Sequence, residues 1–178
     1  MTFRVFILLW CLVFSGCFHA AVVKPNLSPS PLVTGSVINL EQLKAGGKLA
    51  LTLFKAGPQA EANEQLDKLS LMLVQGITER FKAHHTPLTV VSDETADFVM
   101  EGYIEEFSQS GKFSPWLFKK GQIRLAVSGE IWLGNSGVKA LTFAARKAAD
   151  PKKTKAADLA YDMGQAIGDF IAARIQGN

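Results

Sequence analysis

Apolar and polar positions alternate in several stretches of the 178-residue chain and recur at helical spacing in two others. In residues 48–54, Leu49, Leu51 and Leu53 share one face, which predicts a strand punctuated by Gly46-Gly47 and Gly57-Pro58. Residues 60–83 place Leu66, Leu69, Leu73, Ile77 and Phe81 three or four apart, on one helical stripe. Glu61, Glu64 and Asp67 lie early in that segment and Arg80 and Lys82 late, an order that suits the helix dipole. Leu88–Val91, after Thr86-Pro87, reads as a short buried strand. Residues 98–107 alternate, with Phe98, Met100 and Ile104 on one face and Glu101, Tyr103 and Glu105 on the other. Residues 121–133 alternate more strictly: Ile123, Leu125, Val127, Ile131 and Leu133 oppose Gln122, Arg124, Ser128 and Glu130. The tight turn Gly134-Asn135-Ser136-Gly137 leads into a return strand over 138–145, with Leu141 and Phe143 inward.

Residues 156–175 close the pattern with a helix whose Leu159, Met163, Ile167 and Ile171 form a stripe. Beside that stripe, Ala160, Gly164, Gly168 and Ala172 recur every four residues. A glycine inside a helix costs about 1 kcal/mol relative to alanine, so a close approach must compensate. Two approaches are open: packing of the helix on its own sheet, or a helix contact between subunits. The order strand, helix, strand, three-strand meander, helix predicts an α+β fold. Its sheet is mostly antiparallel, with two main helices packed on one face and the other face wet.

The amino terminus has a different character. Arg4 precedes ten apolar residues, Val5 to Phe14, followed by Ser15, Gly16 and Cys17. A positive start, a short apolar core and small residues at the cut make a secretory leader, and ten residues fall short of the ~20 that span a bilayer. Phe14-Ser15-Gly16-Cys17 resembles the lipobox of bacterial lipoproteins, with Phe where Leu is usual. The resemblance implies cleavage before Cys17 and attachment of a diacylglycerol and acyl chains such as palmitate to its thiol. The alternative is an ordinary leader cut near Ala20-Ala21, with Cys17 incidental. Cys11 would leave with the leader, so Cys17 would be the single remaining cysteine, with no internal disulfide possible. In such lipoproteins an Asp after the cysteine retains the protein in the inner membrane. Phe18 therefore implies the outer membrane, with the domain facing the periplasm.

The expected organisation is a signal peptide over 1–16, a lipidated Cys17 with a proline-rich tether over 17–36, and a single domain over 37–178. Pro25, Pro29 and Pro31 mark the tether. Losing Arg4 lowers the formal charge from +3 to +2, too little to argue for nucleic acid. Lys152-Lys153 and Lys155 read as a solvated turn, and Asn26-Leu27-Ser28 as a chance glycosylation match.

The element order combines with a segment of the form Ala-Asp-hydrophobic-x-x-Gly, here Ala96-Asp97-Phe98 continuing to Gly102. Together they resemble the small envelope lipoproteins with a TolB amino-terminal-like fold: the curli-secretion, Pel-export and penicillin-binding-protein-activator lipoproteins. The resemblance spans most of 48–175. It implies proteins that bind partners or assemble into rings and are not known mainly as enzymes.

Among candidate sites, residues 108–120 form the oddest loop, holding Phe113, Trp116, Leu117 and Phe118 before Lys119 and Lys120. Aromatic rings beside lysines suit a membrane interface or a protein partner; the loop could equally fold back on its own core. In the Pel-export lipoprotein aromatic residues contact the membrane, so the resemblance points that way. His84 and His85 are adjacent and diverge, so with His19 they make no three-ligand metal set. Glu101, Glu105 and Glu106 could do acid–base chemistry in a cleft but fit a wet sheet face better. Asp158, Asp162 and Asp169 read as a solvated or partner-facing side of the last helix. The sequence has no Gly-x-Ser-x-Gly elbow, phosphate loop or Gly-x-Gly-x-x-Gly. The expectation is a non-enzymatic accessory of an envelope or export system, without cofactor beyond the lipid, with an envelope partner or a homo-oligomer. The alternatives are a tethered periplasmic enzyme or a small-ligand binder.

Overall fold

The computed structural model describes residues 30–58, 60, 64–92, 95–109 and 122–177. Its elements are β1 (Leu32–Val37), α1 (Leu40–Ala45), β2 (Gly47–Leu51), β3 (Lys55–Ala56), α2 (Glu64–Ala83), β4 (Leu88–Val91), β5 (Phe98–Gln109), β6 (Ile123–Leu133), β7 (Val138–Ala149) and α3 (Ala156–Gln176). They build one seven-stranded sheet in the order β1-β7-β6-β5-β2-β4, with β3 extending the line of β2 beside β5. The long antiparallel ladders β1–β7, β7–β6 and β6–β5 carry most of the paired residues, and β2, β3 and β4 add short parallel ones. The fold is the expected α+β sandwich.

Alternation decides which face is covered. Ile123, Leu125, Val127 and Ile131 of β6, with Leu141, Phe143 and Ala145 of β7, point to the helices and are buried. Leu66, Leu69, Leu73, Ile77 and Phe81 of α2 meet them, as do Leu159, Met163, Ile167 and Ile171 of α3, in one continuous core. The opposite face carries Arg124, Ser128 and Glu130 and lacks a covering layer among the described residues. A bulge between Ile104 and Glu106 sets Glu105 outside the regular pairing of β5 with β6.

The sheet begins earlier than the sequence pattern indicates. Leu32–Val37, five of whose six residues fall in the expected 17–36 tether, pairs with β7 from Leu32↔Arg146 to Val37↔Leu141. Val33 and Val37 pack on the core from this edge. An edge strand that reads Leu-Val-Thr-Gly-Ser-Val alternates weakly, and its neighbouring prolines dominate the local composition. The short helix α1 buries Leu43, but six residues are too few to show a helical period in the sequence.

The Asp97–Gly102 motif has a structural role. Lys48 donates its backbone N–H to Asp97 Oδ2 at 2.8 Å, and Gly134 donates to the Asp97 carbonyl at 2.8 Å. One aspartate thus ties the start of β2 to the start of β5 and to the end of β6. A Cβ on Gly102 would lie 2.3 Å from the Phe54 ring, so glycine is what lets Phe54 cover the sheet there. Phe54 is fixed in turn by donating its backbone N–H to the buried Ser70 hydroxyl at 2.6 Å.

Candidate functional site

The small-residue stripe of α3 is occupied within the chain. A Cβ on Gly164 would lie 2.2 Å from the Leu73 carbonyl oxygen, and one on Gly76 would lie 2.5 Å from that of Tyr161. A Cβ on Gly168 would meet Arg80 Cβ at 2.7 Å. Glycines on α2 and α3 therefore let two backbones touch, with Ala160 and Ala172 also fully buried in the domain. The stripe faces α2, rather than the sheet or another subunit, because the sheet is already met by the adjacent Leu159–Met163–Ile167–Ile171 stripe.

Polar groups lock the outer margin of this seam. Asp169 accepts from Arg80 Nε at 2.5 Å and from Arg80 Nη2 at 2.9 Å, and lies 2.6 Å from His84 Nε2. Partial burial pushes the Asp169 carboxyl up, but hydrogen bonds from Arg80 and His84, with their charges, hold it below the usual carboxylate range. Tyr161 donates to Glu79, which lowers the Glu79 pKa and raises that of Tyr161. Asp169 is thus an interhelix pin rather than a free surface acid, and Asp162 pairs with Lys147 at 3.4 Å. A sequence period on one helix cannot reveal which residues of a second helix will stand opposite it.

The two histidines part company. His84 joins the Asp169 cluster. His85 ends α2 in the left-handed conformation at φ 47°, with its N–H on the Lys82 carbonyl and that of Thr86 on the Phe81 carbonyl. That pairing is the Schellman stop that glycine usually provides. Among the described residues no three His, Cys, Asp or Glu side chains come together as a metal set.

The glutamates of β5 lie on the open face. Glu101 sits 3.8 Å from Lys55 Nζ, and Glu105 accepts from the Ser128 hydroxyl at 2.5 Å. On the next strand Glu130 pairs with Lys139 at 2.5 Å, and Lys139 lies over the Trp132 ring at 4.9 Å. These carboxylates are spread along an uncovered sheet surface and matched to cations and a hydroxyl.

Cys17 and the loop residues Phe113, Trp116, Leu117, Phe118, Lys119 and Lys120 lie outside the described residues. Their flanks are informative. The chain leaves β5 at Gln109 and re-enters the sheet at Ile123, and Ile123 pairs with Ala149 at the end of β7. β1 starts opposite Arg146, three residues from that same end. Strand rise and spacing put the two points roughly 15 Å apart. The segment that follows Cys17 and the segment that holds the aromatic residues therefore join the domain at one end of the sheet.

These features define an α+β domain with one sealed helical layer, an open sheet face and one end that gathers its outward connections. Among solved structures it is similar to the PelC dodecamer of Paraburkholderia phytofirmans. A leucine-to-methionine variant of that protein superposes with a TM-score of 0.57 at 13% identity, over 81% of this chain and 98% of the other. A second crystal form gives 0.56 at 10% identity, over 80% and 97%. A DUF330 protein from Xanthomonas campestris overlaps at 0.47 and 10% identity, over 75% and 86%. No family model and no curated protein matches the chain. At such identities the likeness is one of fold, and it agrees with the α+β fold class that the sequence pattern predicts.

Proposed function

We propose that this protein is a lipid-anchored, non-catalytic accessory of an envelope assembly or export system, held at the outer membrane through Cys17 and facing the periplasm. The observation that carries this reading is the shared end of the sheet: the chain from Cys17 enters at the end where β5 leaves and β6 returns, the two strands that bracket Phe113, Trp116, Leu117, Phe118, Lys119 and Lys120, with β7 between β1 and β6. An acyl anchor and a loop of aromatics and lysines at one end present that end to lipid, with rings at headgroup depth and ammonium groups on phosphate. The fold likeness to PelC, which is a dodecamer, supports self-assembly as the way the domain works. The remaining end, the edges and the open face then point toward protein partners.

The test is fractionation and sizing of the full chain beside Cys17→Ser and a Trp116→Ala/Phe118→Ala double variant. The expected result is outer-membrane fractionation and an oligomer in mild detergent for the parent. The Cys17→Ser variant should be released into the soluble fraction, and the aromatic variant should lose affinity for anionic vesicles when unlipidated. A Cys17→Ser protein that stays membrane-bound, or keeps full cellular activity while soluble, overturns the anchoring role. A strictly monomeric parent that captures no envelope protein overturns the assembly role.

A further inference from the structure

We infer that copies of this chain join head to tail through the two free edges of the sheet, β1 of one copy lying antiparallel beside β4 of the next. The inference rests on the self-assembly reading above and specifies its surface. Among the described residues β1 and β4 are the terminal strands of the sheet, so each has one side without a ladder there. Proteins that stay monomeric blunt such edges with lysine, proline, bulges or a covering element. Here β1 reads Leu-Val-Thr-Gly-Ser-Val and β4 reads Leu-Thr-Val-Val, with no charged residue and no proline in either. Neither ladder registers a bulge.

The surroundings of the two edges fit each other. Six large apolar side chains are exposed among the described residues. Leu32 begins β1 and Ile38 follows it, and Leu71 lies on the same stripe of α2 as Thr78 and Lys82, which border the cleft beside β4. An open cleft of about 620 Å³ runs between β1 and α3, lined by Leu32, Val33, Asp162, Ala166 and Phe170, and also by Lys147 and Asp169. A second, of about 370 Å³, runs between β4 and α2, lined by Thr78, Lys82, His85, Thr89 and Val90. The first cleft holds two carboxylates, one paired with Lys147 and one with Arg80 and His84; the second holds Lys82 and His85 and no acid. Docking would set Lys82 and His85, at the cleft beside β4, near the Asp162–Lys147 pair beside β1.

Strand direction agrees. β4 runs with β2 and β5, while β6, β7 and β1 reverse in turn, so β1 opposes β4. Laying one beside the other with the helices on a common side gives an antiparallel ladder of up to the four residues of β4. Because the two surfaces differ, the contact is heterologous. It repeats from copy to copy and makes a ring where the sheet twist closes it. A foreign strand would need one bare edge; two complementary edges on one chain favour a second copy.

Cysteine pairs test this in the full-length chain. Thr34 or Ser36 on β1 is changed to Cys together with Thr89 or Val91 on β4. All four positions point to the open face, so substitution leaves the core intact. Circular dichroism checks the fold, and the parent chain, with only Cys11 and Cys17, sets the background. The expected result is a ladder of disulfide-linked multimers from at least one double variant and none from the single variants. An oligomer that none of the four pairs cross-links overturns the edge contact and leaves the self-assembly reading standing. Cross-linking by single variants, β1 to β1 or β4 to β4, overturns the head-to-tail arrangement. A monomer by light scattering that never cross-links overturns both.

Discussion

Gly164→Ala is the sharpest probe of the helix seam. The new Cβ would sit 2.2 Å from the Leu73 carbonyl oxygen, and real Cβ atoms essentially never come within 3.0 Å. The obstacle is backbone inside α2, so relief means separating the helices by about 0.8 Å, the gap between those two distances. A gap of that size forfeits about a quarter to a half of each van der Waals contact it opens. Overpacking of this kind costs about 1–3 kcal/mol and occasionally more. The alanine returns about 1 kcal/mol of helix propensity. A backbone obstacle puts the cost at the upper end, leaving a net loss of about 2 kcal/mol. For a domain of this size that lowers the melting temperature by roughly 4–8 °C. Urea unfolding followed by far-ultraviolet circular dichroism measures it directly. Gly168→Ala should cost less, because its nearest obstacle is the Arg80 side chain at 2.7 Å and the Ile77 carbonyl is 3.2 Å away. A Gly164→Ala protein as stable as the parent, or more so, would refute the seam.

Four further outcomes are expected. Asp169→Asn should destabilise the domain by about 1 kcal/mol, since partly exposed charged hydrogen bonds are screened by solvent. The folded-state pKa of Asp169 is depressed, so its stabilisation is present above the unfolded value of about 4 and fades as pH falls below it. Unfolding curves at pH 7 and pH 3 should therefore differ more for the parent than for Asp169→Asn. His85→Gly should stabilise the α2 stop by up to about 1 kcal/mol, because glycine holds the left-handed conformation without a Cβ penalty; an unchanged midpoint in urea would refute it. Gly102→Val should cost about 3 kcal/mol or more by driving into the Phe54 ring, read as poor expression or a melting temperature lowered by 6 °C or more.

Where a stripe or an alternation is long, the sequence carries the structure. The stripes from Leu66 to Phe81, from Leu159 to Ile171 and from Ile123 to Ile131 are buried as their periods require, while Leu133, past a register shift at Ile131/Trp132, is only partly buried. The periods fail where burial is one-sided or short. β1 hides among prolines, and α1 is one and a half turns long. Site-level reading fails for a different reason. Asp169 and Arg80 are separated by 89 positions, and nothing in either local pattern marks their meeting. Asp97 is the instructive intermediate. Its motif was visible and pointed to the right fold, but its chemistry is a backbone tie from Lys48 and not a ligand site.

The seam also constrains how the domain can work. Small-residue stripes are common means of helix contact between subunits, and here that means is already spent inside the chain. Gly164 and Gly168 are covered by α2, Ala160 and Ala172 are buried within the domain, and Asp169 is held by Arg80 and His84. A rigid helical layer fixes β1 and β4 relative to each other across the whole sheet. That fixed relation is what a head-to-tail contact requires, since a small rotation between two edges, repeated from copy to copy, decides between closing a ring and running on as a filament. Loosening the seam should therefore disturb assembly before it unfolds the domain. Gly168→Ala, the mild seam variant, is expected to broaden the oligomer distribution by native mass spectrometry while its circular dichroism stays that of the parent. An unchanged, sharp stoichiometry together with a measurably weakened seam would separate the two and refute the coupling.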